Sequence, residues 1–398
     1  MDIVMINTTY KVGGAAAIAR GLHEYINKNT RHNSIFLYGY GGDKRDDSLI
    51  KISNFMQIYY GAFTNRYLGR PANLFVYGSM EKMIKAADVV HLHNLHGYYV
   101  NYGMVLEMIA KYQKPVIWTF HDLWPITGRC AFPPEDCDKW TSGCFACEYK
   151  DRYPKTYTDR SPILWKEKKE LFNTLSKNRT VLISPCRWLK NKIAFSFMNE
   201  YRSEVIPNGI NNAPAALDPL QCRHNLNLPA ERKIVLLAAA DLMDKRKGVG
   251  DFLETMDRNR ILFITVGRKI KSELKNLRQF GYINNKQTLN NIYKAADILV
   301  LPSIEDNFPT IVLEAFSNGL PVLGFDTGGI PEQLDGGCGV VVKKGDLAKL
   351  KETLLQLLNS KTEIKRMSEN CMIKYNRKYT IEQCAKRYLK LYESVKTS

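Results

Sequence analysis

Short apolar runs alternate with longer amphipathic segments along most of the chain. The alternation fills the first half and resumes after residue 219. Strands that alternate with helices predict parallel, doubly wound sheets covered by helices. The predicted strands are residues 3–7, 34–40, 88–93, 115–121 and 180–186, followed by 233–240, 261–267, 280–283, 298–301, 321–326 and 339–342.

A break in composition divides this pattern into two parts. Residues 211–219 are rich in Asn, Ala and Pro and mark a predicted interdomain hinge. We therefore expect an α/β fold class with two Rossmann-like, doubly wound domains, 1–206 and 207–378. The first contains a Cys-rich loop, 124–153, and the last segment, 379–398, has the pattern of an amphipathic helix.

The composition is that of a compact protein large enough for two domains. The chain has 398 residues, of which 45% are hydrophobic and 24% charged, close to the average for soluble globular proteins. No apolar run approaches the roughly 20 residues that a membrane-spanning helix needs, and the amino terminus lacks a signal-peptide pattern. We expect a cytoplasmic protein without an integral membrane segment.

Positive charge is the feature of the composition that bears on partners. Lysine and arginine number 57 against 40 acidic residues, a net charge of +17, which favours a nucleic acid, a phospholipid surface or a pyrophosphate-linked substrate. Between residues 165 and 198, basic residues alternate with aromatic and aliphatic ones, a pattern typical of peripheral contact with an anionic membrane surface. The same apolar residues also fit the core-facing sides of ordinary amphipathic helices.

Candidate chemistry is densest after the predicted strand 298–301. The strand breaks at Pro302 into a polar loop that carries Asp306, and Glu314 follows about one turn inside the next helix. Open α/β sheets bind ligands beyond the carboxyl ends of their strands, and a helix amino terminus there attracts phosphate. Carboxylates accept hydrogen bonds from sugar hydroxyls, so the pattern indicates a nucleotide-sugar site.

Two further loops carry groups that suit a diphosphate. Arg246 and Lys247 follow the first strand of the second domain, where cations would neutralise a leaving group. Gly13 and Gly14 follow the first strand of the chain and open a helix, so backbone amides there can approach a ligand. They lack the spacing of a dinucleotide-binding fingerprint. A tight turn and a solvated basic turn are the plainer alternatives.

Histidines mark the carboxyl edge of the first predicted sheet. His121 ends a strand, where it can hydrogen-bond a sugar hydroxyl, although a capping or loop role is the alternative. His91, His93 and His96 cluster at the end of another strand, and the sequence shows no acidic ligands nearby. We expect them to line a central cleft that the two domains face, or to lie in the core.

Four cysteines stand close together in the loop 124–153. Cys130, Cys137, Cys144 and Cys147 lie in a stretch with little apolar material for a core. Four thiolates ending in a Cys-x2-Cys step fit a closed structural zinc site that would order the loop. Two disulfides or four free thiols are the alternatives, and nine cysteines without a secretory signal suggest a reducing compartment.

Together these motifs resemble the retaining GT-B glycosyltransferases of glycosyltransferase family 4, and within it the bacterial exopolysaccharide and O-antigen enzymes. The resemblance spans almost the whole chain, and it implies an acceptor-binding first domain and a nucleotide-sugar-binding second domain. It also implies a carboxyl-terminal helix that crosses back to the first domain. The segments that carry it are 13–15, 91–94, 118–125, the cysteine loop, 207–209, 246–248 and 302–319.

The resemblance further implies an activity. Such enzymes transfer a hexose or N-acetylhexosamine from a nucleotide diphosphate sugar, with retained anomeric configuration and without a catalytic metal. The acceptor would be a glycan or a polyprenyl-pyrophosphate-linked sugar at the inner face of the membrane. A UDP-sugar is favoured over a GDP-sugar, although the sequence does not fix the base, the sugar, the acceptor or the linkage.

Roles follow from the same resemblance, residue by residue. Asp306 would contact the donor sugar, Lys247 the phosphates, and Glu314 the ribose, with His121 near the sugar. The remaining donor-binding positions are Gly13, Gly14, Asn307, Phe308, Pro309 and Thr310.

Two positions depart from the family pattern. The first acidic position of its E-x7-E motif is Asp306, and Glu305 beside it is the alternative contact to the sugar. The family's arginine after the first strand of the second domain is absent, since Ala239 and Ala240 stand there, and we expect Arg246 to replace it.

Two rival functions fit part of the pattern. A sugar-nucleotide epimerase of the same fold would convert the donor without an acceptor. A basic nucleic-acid-binding protein would suit the net charge, but no recognised reading motif is present, and we expect no nucleic-acid partner.

Overall fold

The protein consists of two compact units, each with its own parallel sheet. The computed structural model describes residues 1–42, 46–72, 78–256, 261–272 and 274–396. One unit comprises Met1–Asn208 with Ile381–Ser398, and the other comprises Gly209–Thr380.

A seven-stranded sheet forms the centre of the first unit. Its strands are β1 (Asp2–Thr9), β2 (Asn33–Tyr40), β3 (Leu49–Lys51), β4 (Val89–Leu92), β5 (Val116–Thr119), β6 (Thr180–Ser184) and β7 (Arg202–Val205). The helices described between them are α1 (Gly14–Asn29), α2 (Phe55–Leu68), α3 (Gly78–Ala86), α4 (Tyr102–Lys111), α5 (Ser161–Phe172) and α6 (Arg187–Ala194). All strands are parallel, in the order β3-β2-β1-β4-β5-β6-β7. Central strands such as β1 are almost wholly buried, as expected for a parallel sheet covered on both faces.

A six-stranded sheet forms the centre of the second unit. Its strands are β8 (Lys233–Asp241), β9 (Ile261–Arg268), β10 (Leu277–Gly281), β11 (Ile298–Leu301), β12 (Val322–Phe325) and β13 (Gly339–Val342). The helices described are α7 (Pro219–Asn225), α8 (Val249–Glu254), α9 (Lys286–Ala295), α10 (Thr310–Ser317), α11 (Ile330–Leu334), α12 (Leu347–Asn359) and α13 (Lys361–Lys374). The strands are parallel, in the order β10-β9-β8-β11-β12-β13.

The last helix, α14 (Ile381–Lys396), returns to the first unit. Its buried face, which includes Tyr388 and Tyr392, joins the apolar core that contains strand β1. The Tyr392 hydroxyl lies 2.7 Å from His91 Nδ1, and the Tyr388 hydroxyl lies 2.7 Å from Thr119 Oγ1. The expected return of the carboxyl-terminal helix is therefore confirmed, and buried polar contacts fix its position on the sheet.

Both sheets follow the predicted doubly wound pattern, with errors at their edges. Strands β11 and β13 have the predicted bounds, whereas the strand expected at 280–283 is β10, three residues earlier. Strands β3 and β7 were not predicted. Strands β7 and β10 have half-buried or exposed residues throughout, so they lack the continuous apolar run that marks a central parallel strand.

Each sheet has a point where the strand order reverses. It lies between β1 and β4 in the first unit and between β8 and β11 in the second. Loops leave such neighbouring strands in opposite directions and open a crevice at the carboxyl edge, where open α/β sheets bind ligands. The candidate residues of each unit lie in the loops at this edge.

Candidate functional site

Lys247 and Asp306 form an ion pair at the switch point of the second unit. Lys247 ends a short 3₁₀ turn after β8, and Asp306 lies on the loop after β11. The Lys247 Nζ atom is 2.5 Å from Asp306 Oδ2, and the two side chains are 25% and 13% exposed. The structure thus brings together a cation and a carboxylate that the sequence assigned to phosphate and sugar.

The two loops that carry this pair also meet through their backbones. The Arg246 carbonyl accepts a hydrogen bond from the Ile304 amide at 2.8 Å. Gly248 has a φ of +61°, and a Cβ at this position would lie 2.1 Å from the Pro302 carbonyl oxygen. Only glycine combines this left-handed conformation with so close an approach, so Gly248 allows the loops to pack together.

Arg246 is engaged within its own turn. Its guanidinium Nη2 lies 2.6 Å from Asp244 Oδ2, and Asp244 also caps the turn by accepting from the Arg246 amide at 3.0 Å. Burial acts to raise the pKa of Asp244, but the hydrogen bonds and charge of Arg246 lower it overall. Asp244 is therefore ionised at neutral pH and offsets the charge of Arg246.

Glu314 lies in the second turn of α10, and its side chain has different partners from those of Lys247 and Asp306. The Tyr293 hydroxyl, from α9, donates to Glu314 Oε2 at 2.8 Å. Burial raises the pKa of Glu314, while the Tyr293 hydrogen bond and the charge of Lys286 act to lower it. Tyr293 was missed at the sequence level, because a tyrosine on an amphipathic helix gives no sign that it orients a carboxylate.

The amino terminus of α10 is available to an anion. Pro309 precedes the helix, no side chain caps it, and its first turn contains no acidic residue. Asn307, Phe308 and Pro309 are buried, and the Gly329 amide donates to the Asn307 carbonyl at 2.7 Å. A rigid loop therefore leads into a helix end whose amides favour negative charge.

The first unit presents a similar helix end after β1. Gly13 precedes α1 with a φ of +92°, and both Gly13 and Gly14 are exposed. No side chain caps α1, and its first turn contains no acidic residue. Thr9 holds the preceding turn by donating from its hydroxyl to the Val12 carbonyl at 2.6 Å. This geometry suits an anionic ligand.

His121 lies at the carboxyl edge of the first sheet and pairs with His93. His93 Nδ1 is 2.9 Å from His121 Nε2, and the two rings stack with their centroids 5.2 Å apart. Burial lowers the pKa of His121 to about 4 and the pKa of His93 well below its usual value. Both rings are therefore neutral at physiological pH.

The surroundings of His93 select the tautomer of this pair. His93 Nε2 is buried without a hydrogen-bond partner among the described residues. An unpaired lone pair costs less than an unpaired N–H, so His93 carries its proton on Nδ1 and donates to His121. His121 then carries its own proton on Nδ1.

The other two histidines of the cluster have structural contacts. His91 is buried and its Nε2 lies 2.8 Å from Thr119 Oγ1, in the network that anchors α14. His96 Nε2 lies 2.8 Å from Asp122 Oδ2. The expectation that the cluster lacks acidic neighbours was therefore wrong, because Asp122 follows a different strand and reaches His96 only in the folded unit.

Two long basic side chains, Lys168 and Arg129, are buried against the Cys-rich loop. Lys168 donates from Nζ to the carbonyls of Trp124 and Thr127, at 2.7 and 3.0 Å. Arg129 donates to the carbonyls of Tyr149 and Pro154. These contacts order carbonyl groups of the loop without a metal, so the proposed zinc site is not needed to explain them.

The four thiols of the loop gain no support as a zinc site. All are free cysteines, so the disulfide alternative is not formed. Burial raises the pKa of Cys130 to about 12 and that of Cys144 to about 11. Over the ranges the structure describes, no group of three or more His, Cys, Asp or Glu side chains is placed to hold a metal ion.

The segment 165–198 gives no support to the expected membrane contact. Trp165, Leu189 and Ile193 are buried, as is Lys168, because they pack on the core side of their helices. Trp188 and Phe197 are half-buried, and Phe195 is 72% exposed. Among the residues with described positions, no helix is both long and apolar enough to cross a bilayer.

Comparisons with known proteins identify the family of this chain. Residues 12–213, just over half of the chain, match the family described as Glycosyltransferase Family 4, and residues 233–360 match Glycosyl transferases group 1. The protein belongs to glycosyltransferase family 4, and its two Rossmann-like units have the GT-B fold.

One of the individual relatives extends over most of the chain and another over less than half of it. The chain is 29% identical over 388 residues to WcaC of Escherichia coli K12, provisionally assigned as a colanic acid biosynthesis glycosyl transferase, covering 92% of this chain and 91% of the relative. It is 29% identical over 180 residues, 43% of this chain and 47% of the relative, to the N,N'-diacetylbacillosaminyl-diphospho-undecaprenol alpha-1,3-N-acetylgalactosaminyltransferase of Campylobacter jejuni.

A solved structure supports the fold. Alr3699/HepE of Anabaena in complex with UDP superposes with a TM-score of 0.69 over 99% of this chain and 100% of that chain, at 12% identity. The same protein has also been solved with UDP-glucose, with a TM-score of 0.67. At this identity the likeness establishes the fold alone.

Proposed function

We propose that the protein transfers a hexose or N-acetylhexosamine from a UDP-sugar to a lipid-pyrophosphate-linked glycan in the synthesis of a bacterial surface polysaccharide. The Lys247–Asp306 pair carries this proposal, because it joins a cation suited to phosphate with a carboxylate suited to sugar hydroxyls. Asp306 also lies four residues before the first residue of α10, whose amino terminus has no side-chain cap. The names of the relatives support it, since they mention colanic acid and a diphospho-undecaprenol acceptor. The HepE complexes support UDP as the nucleotide.

In the second unit, each group has a proposed task in donor binding. Lys247 and the α10 amides, from Thr310 onward, neutralise the diphosphate as the sugar bond breaks. Asp306 accepts hydrogen bonds from sugar hydroxyls, with Glu305 as the neighbouring alternative. Glu314, held by Tyr293, accepts from the ribose hydroxyls.

Arg246 and the groups of the first unit complete the proposal. Through its ion pair with Asp244, Arg246 stabilises the 3₁₀ turn that carries Lys247. His121, neutral and protonated on Nδ1, donates a hydrogen bond to a sugar hydroxyl. The α1 amino terminus at Gly13 binds a phosphate of the substrate. Because these groups supply the positive charge themselves, we propose that transfer needs no divalent metal, so that activity should persist in EDTA.

The direct test is turnover with defined substrates. Purified protein is incubated with UDP-glucose, UDP-galactose and their N-acetylated forms, with and without a polyprenyl-pyrophosphate-linked sugar. We expect release of UDP and extension of the acceptor, with the anomeric configuration of the donor retained in the product by nuclear magnetic resonance. Conversion of the donor sugar in the absence of acceptor would instead indicate an epimerase, and an inverted linkage would contradict the retaining mechanism.

A further inference from the structure

Helix α2 buries polar and small residues and exposes apolar ones, the reverse of an ordinary surface helix. Its inner face is polar or small, with Gln57, Gly61, Thr64 and Asn65 buried. Surface helices normally bury their apolar stripe and expose polar residues. The outer face of α2 instead carries Phe55, Met56, Tyr59, Tyr60, Phe63, Tyr67 and Leu68, which are between 45% and 76% exposed.

Polar contacts hold α2 in place, so its apolar face is not required for folding. Asn54 and Gln57 form a reciprocal capping box at its amino terminus. Asn65 donates from Nδ2 to the Lys155 carbonyl at 3.1 Å, and the Ala72 amide donates to Thr64 Oγ1 at 2.8 Å. The apolar outer face is therefore free to serve another purpose.

The exposed aromatic rings lie in a row along one side of the helix. Phe55, Tyr59, Phe63 and Tyr67 follow one another at four-residue spacing, with centroids 4.0 Å apart in the first pair and 4.8 Å in the last. Tyr157 extends the row at 5.4 Å from Tyr67. At about 1.5 Å per residue the helix is about 21 Å long. No described residue covers this row, and exposed apolar patches of this kind mark interaction sites.

The charges around the row favour an anionic partner. Helix α2 contains no acidic residue and carries Arg66 near its end. Lys155 and Arg160 are exposed on the segment that runs beside it, where the Tyr157 amide donates to the Arg66 carbonyl at 2.8 Å. A two-fold contact between copies of the chain would bring these like charges together. An anionic lipid surface would instead attract them and accept the tyrosine rings at the headgroup level.

We propose that the outer face of α2, with Tyr157, docks the protein on an anionic phospholipid bilayer. The face replaces the segment 165–198 as the membrane contact. A role for this docking in catalysis rests on the proposed lipid-linked acceptor, but docking can be measured without any turnover. Aromatic residues on one face and flanking cations are the features of interfacial membrane binding.

The test is co-sedimentation with vesicles of phosphatidylcholine alone or with 30% phosphatidylglycerol, taken as roughly the anionic fraction that attracts basic surfaces. The unmodified protein should bind the anionic vesicles, and less tightly at high salt. A triple variant, Phe55→Ser with Tyr59→Ser and Phe63→Ser, should bind at least about tenfold more weakly. A charge variant, Lys155→Glu with Arg160→Glu, should lose binding to anionic vesicles and most of the salt dependence.

Matched controls separate docking from folding and from catalysis. Phe195→Ser, Leu220→Ser and Tyr282→Ser remove apolar side chains that are 72%, 60% and 65% exposed outside α2, and together they should leave vesicle binding unchanged. All variants should keep the melting temperature and its shift with UDP. If the α2 variant binds vesicles as the parent does, or the control variant loses as much, the proposal is wrong. If the parent protein forms a dimer but does not bind vesicles, and only the α2 variant dissociates that dimer, the face binds a second copy of the chain instead. Vesicle binding without any effect of UDP would contradict the donor assignment alone.

Discussion

Replacing Lys247 by methionine should slow glycosyl transfer by about a hundredfold. The ammonium lies 2.5 Å from Asp306, and the side chains are 25% and 13% exposed. Methionine keeps the aliphatic length but removes the charge, so the Asp306 carboxylate stays without its cation. The loop then faces the diphosphate of the donor with one more negative charge.

The size of the effect follows from the attraction between Lys247 and the leaving diphosphate. An ammonium and a phosphate oxygen about 4 Å apart interact by about 4 kcal/mol at an effective dielectric constant of roughly 20. A quarter of the lysine side chain is exposed, so solvent screens part of this interaction and about 3 kcal/mol remains. At about 1.4 kcal/mol for each factor of ten, the rate falls by about a hundredfold.

Asp306→Asn is the matched control for this variant. It leaves the lysine free, so we expect KM for the donor sugar to rise about tenfold while the affinity for UDP holds or increases. The assay is kcat and KM at saturating acceptor, with UDP affinity by calorimetry. A Lys247→Met enzyme within threefold of the parent rate, or an Asp306→Asn enzyme that loses UDP affinity, would refute the reasoning.

Three further predictions concern the groups around the two sites. Glu314→Gln should weaken UDP binding yet raise the melting temperature at neutral pH. Burial raises the pKa of Glu314 in the folded protein. Ionisation of Glu314 therefore destabilises the fold, and stability is lost as pH rises from the unfolded-state pKa through the folded-state pKa. In melting experiments between pH 4 and 8, the advantage of the variant in melting temperature should grow with pH. His93→Phe should lower kcat about tenfold and leave calorimetric UDP affinity unchanged, because His121 loses its tautomer-fixing partner. Gly248→Ala should destabilise the second unit by more than about 1 kcal/mol in denaturant, whereas Gly250→Ala, whose added Cβ meets nothing within 4 Å, should not.

The centre of the fold was predictable because its strands are fully buried. The apolar run at Ile298–Leu301 has the bounds of β11, which is buried throughout, since a parallel strand covered by helices reads as a continuous apolar run. The edge strand β13 also has its predicted bounds, although most of its residues are half-buried or exposed. The same reasoning fails for helix α2. Its apolar residues at four-residue spacing would normally indicate a core-facing stripe, and burial of apolar residues is not obligatory.

The loops that carry the candidate residues were predictable from the sequence, but most of the contacts between their side chains were not. Placing Lys247 and Asp306 after neighbouring strands was enough to expect them together. The His93–His121 pair depends on the register of β4 against β5, in which Leu92 pairs with Trp118. The order of the cysteine loop depends on Lys168, which lies outside the loop. In the sequence, the neighbours of Lys168 are typical of a solvated helix face, so its contact with the loop could not be predicted.

Binding of nucleotides tests the central claim most directly. A thermal-shift screen against UDP, GDP, ADP, TDP and their common sugar conjugates detects a ligand that binds only the folded state. We expect UDP and its conjugates to raise the melting temperature, and Glu314→Ala to abolish that shift while the protein stays folded. Stabilisation by another nucleotide alone would contradict the UDP assignment, and no shift with any of them would contradict the nucleotide-sugar site itself.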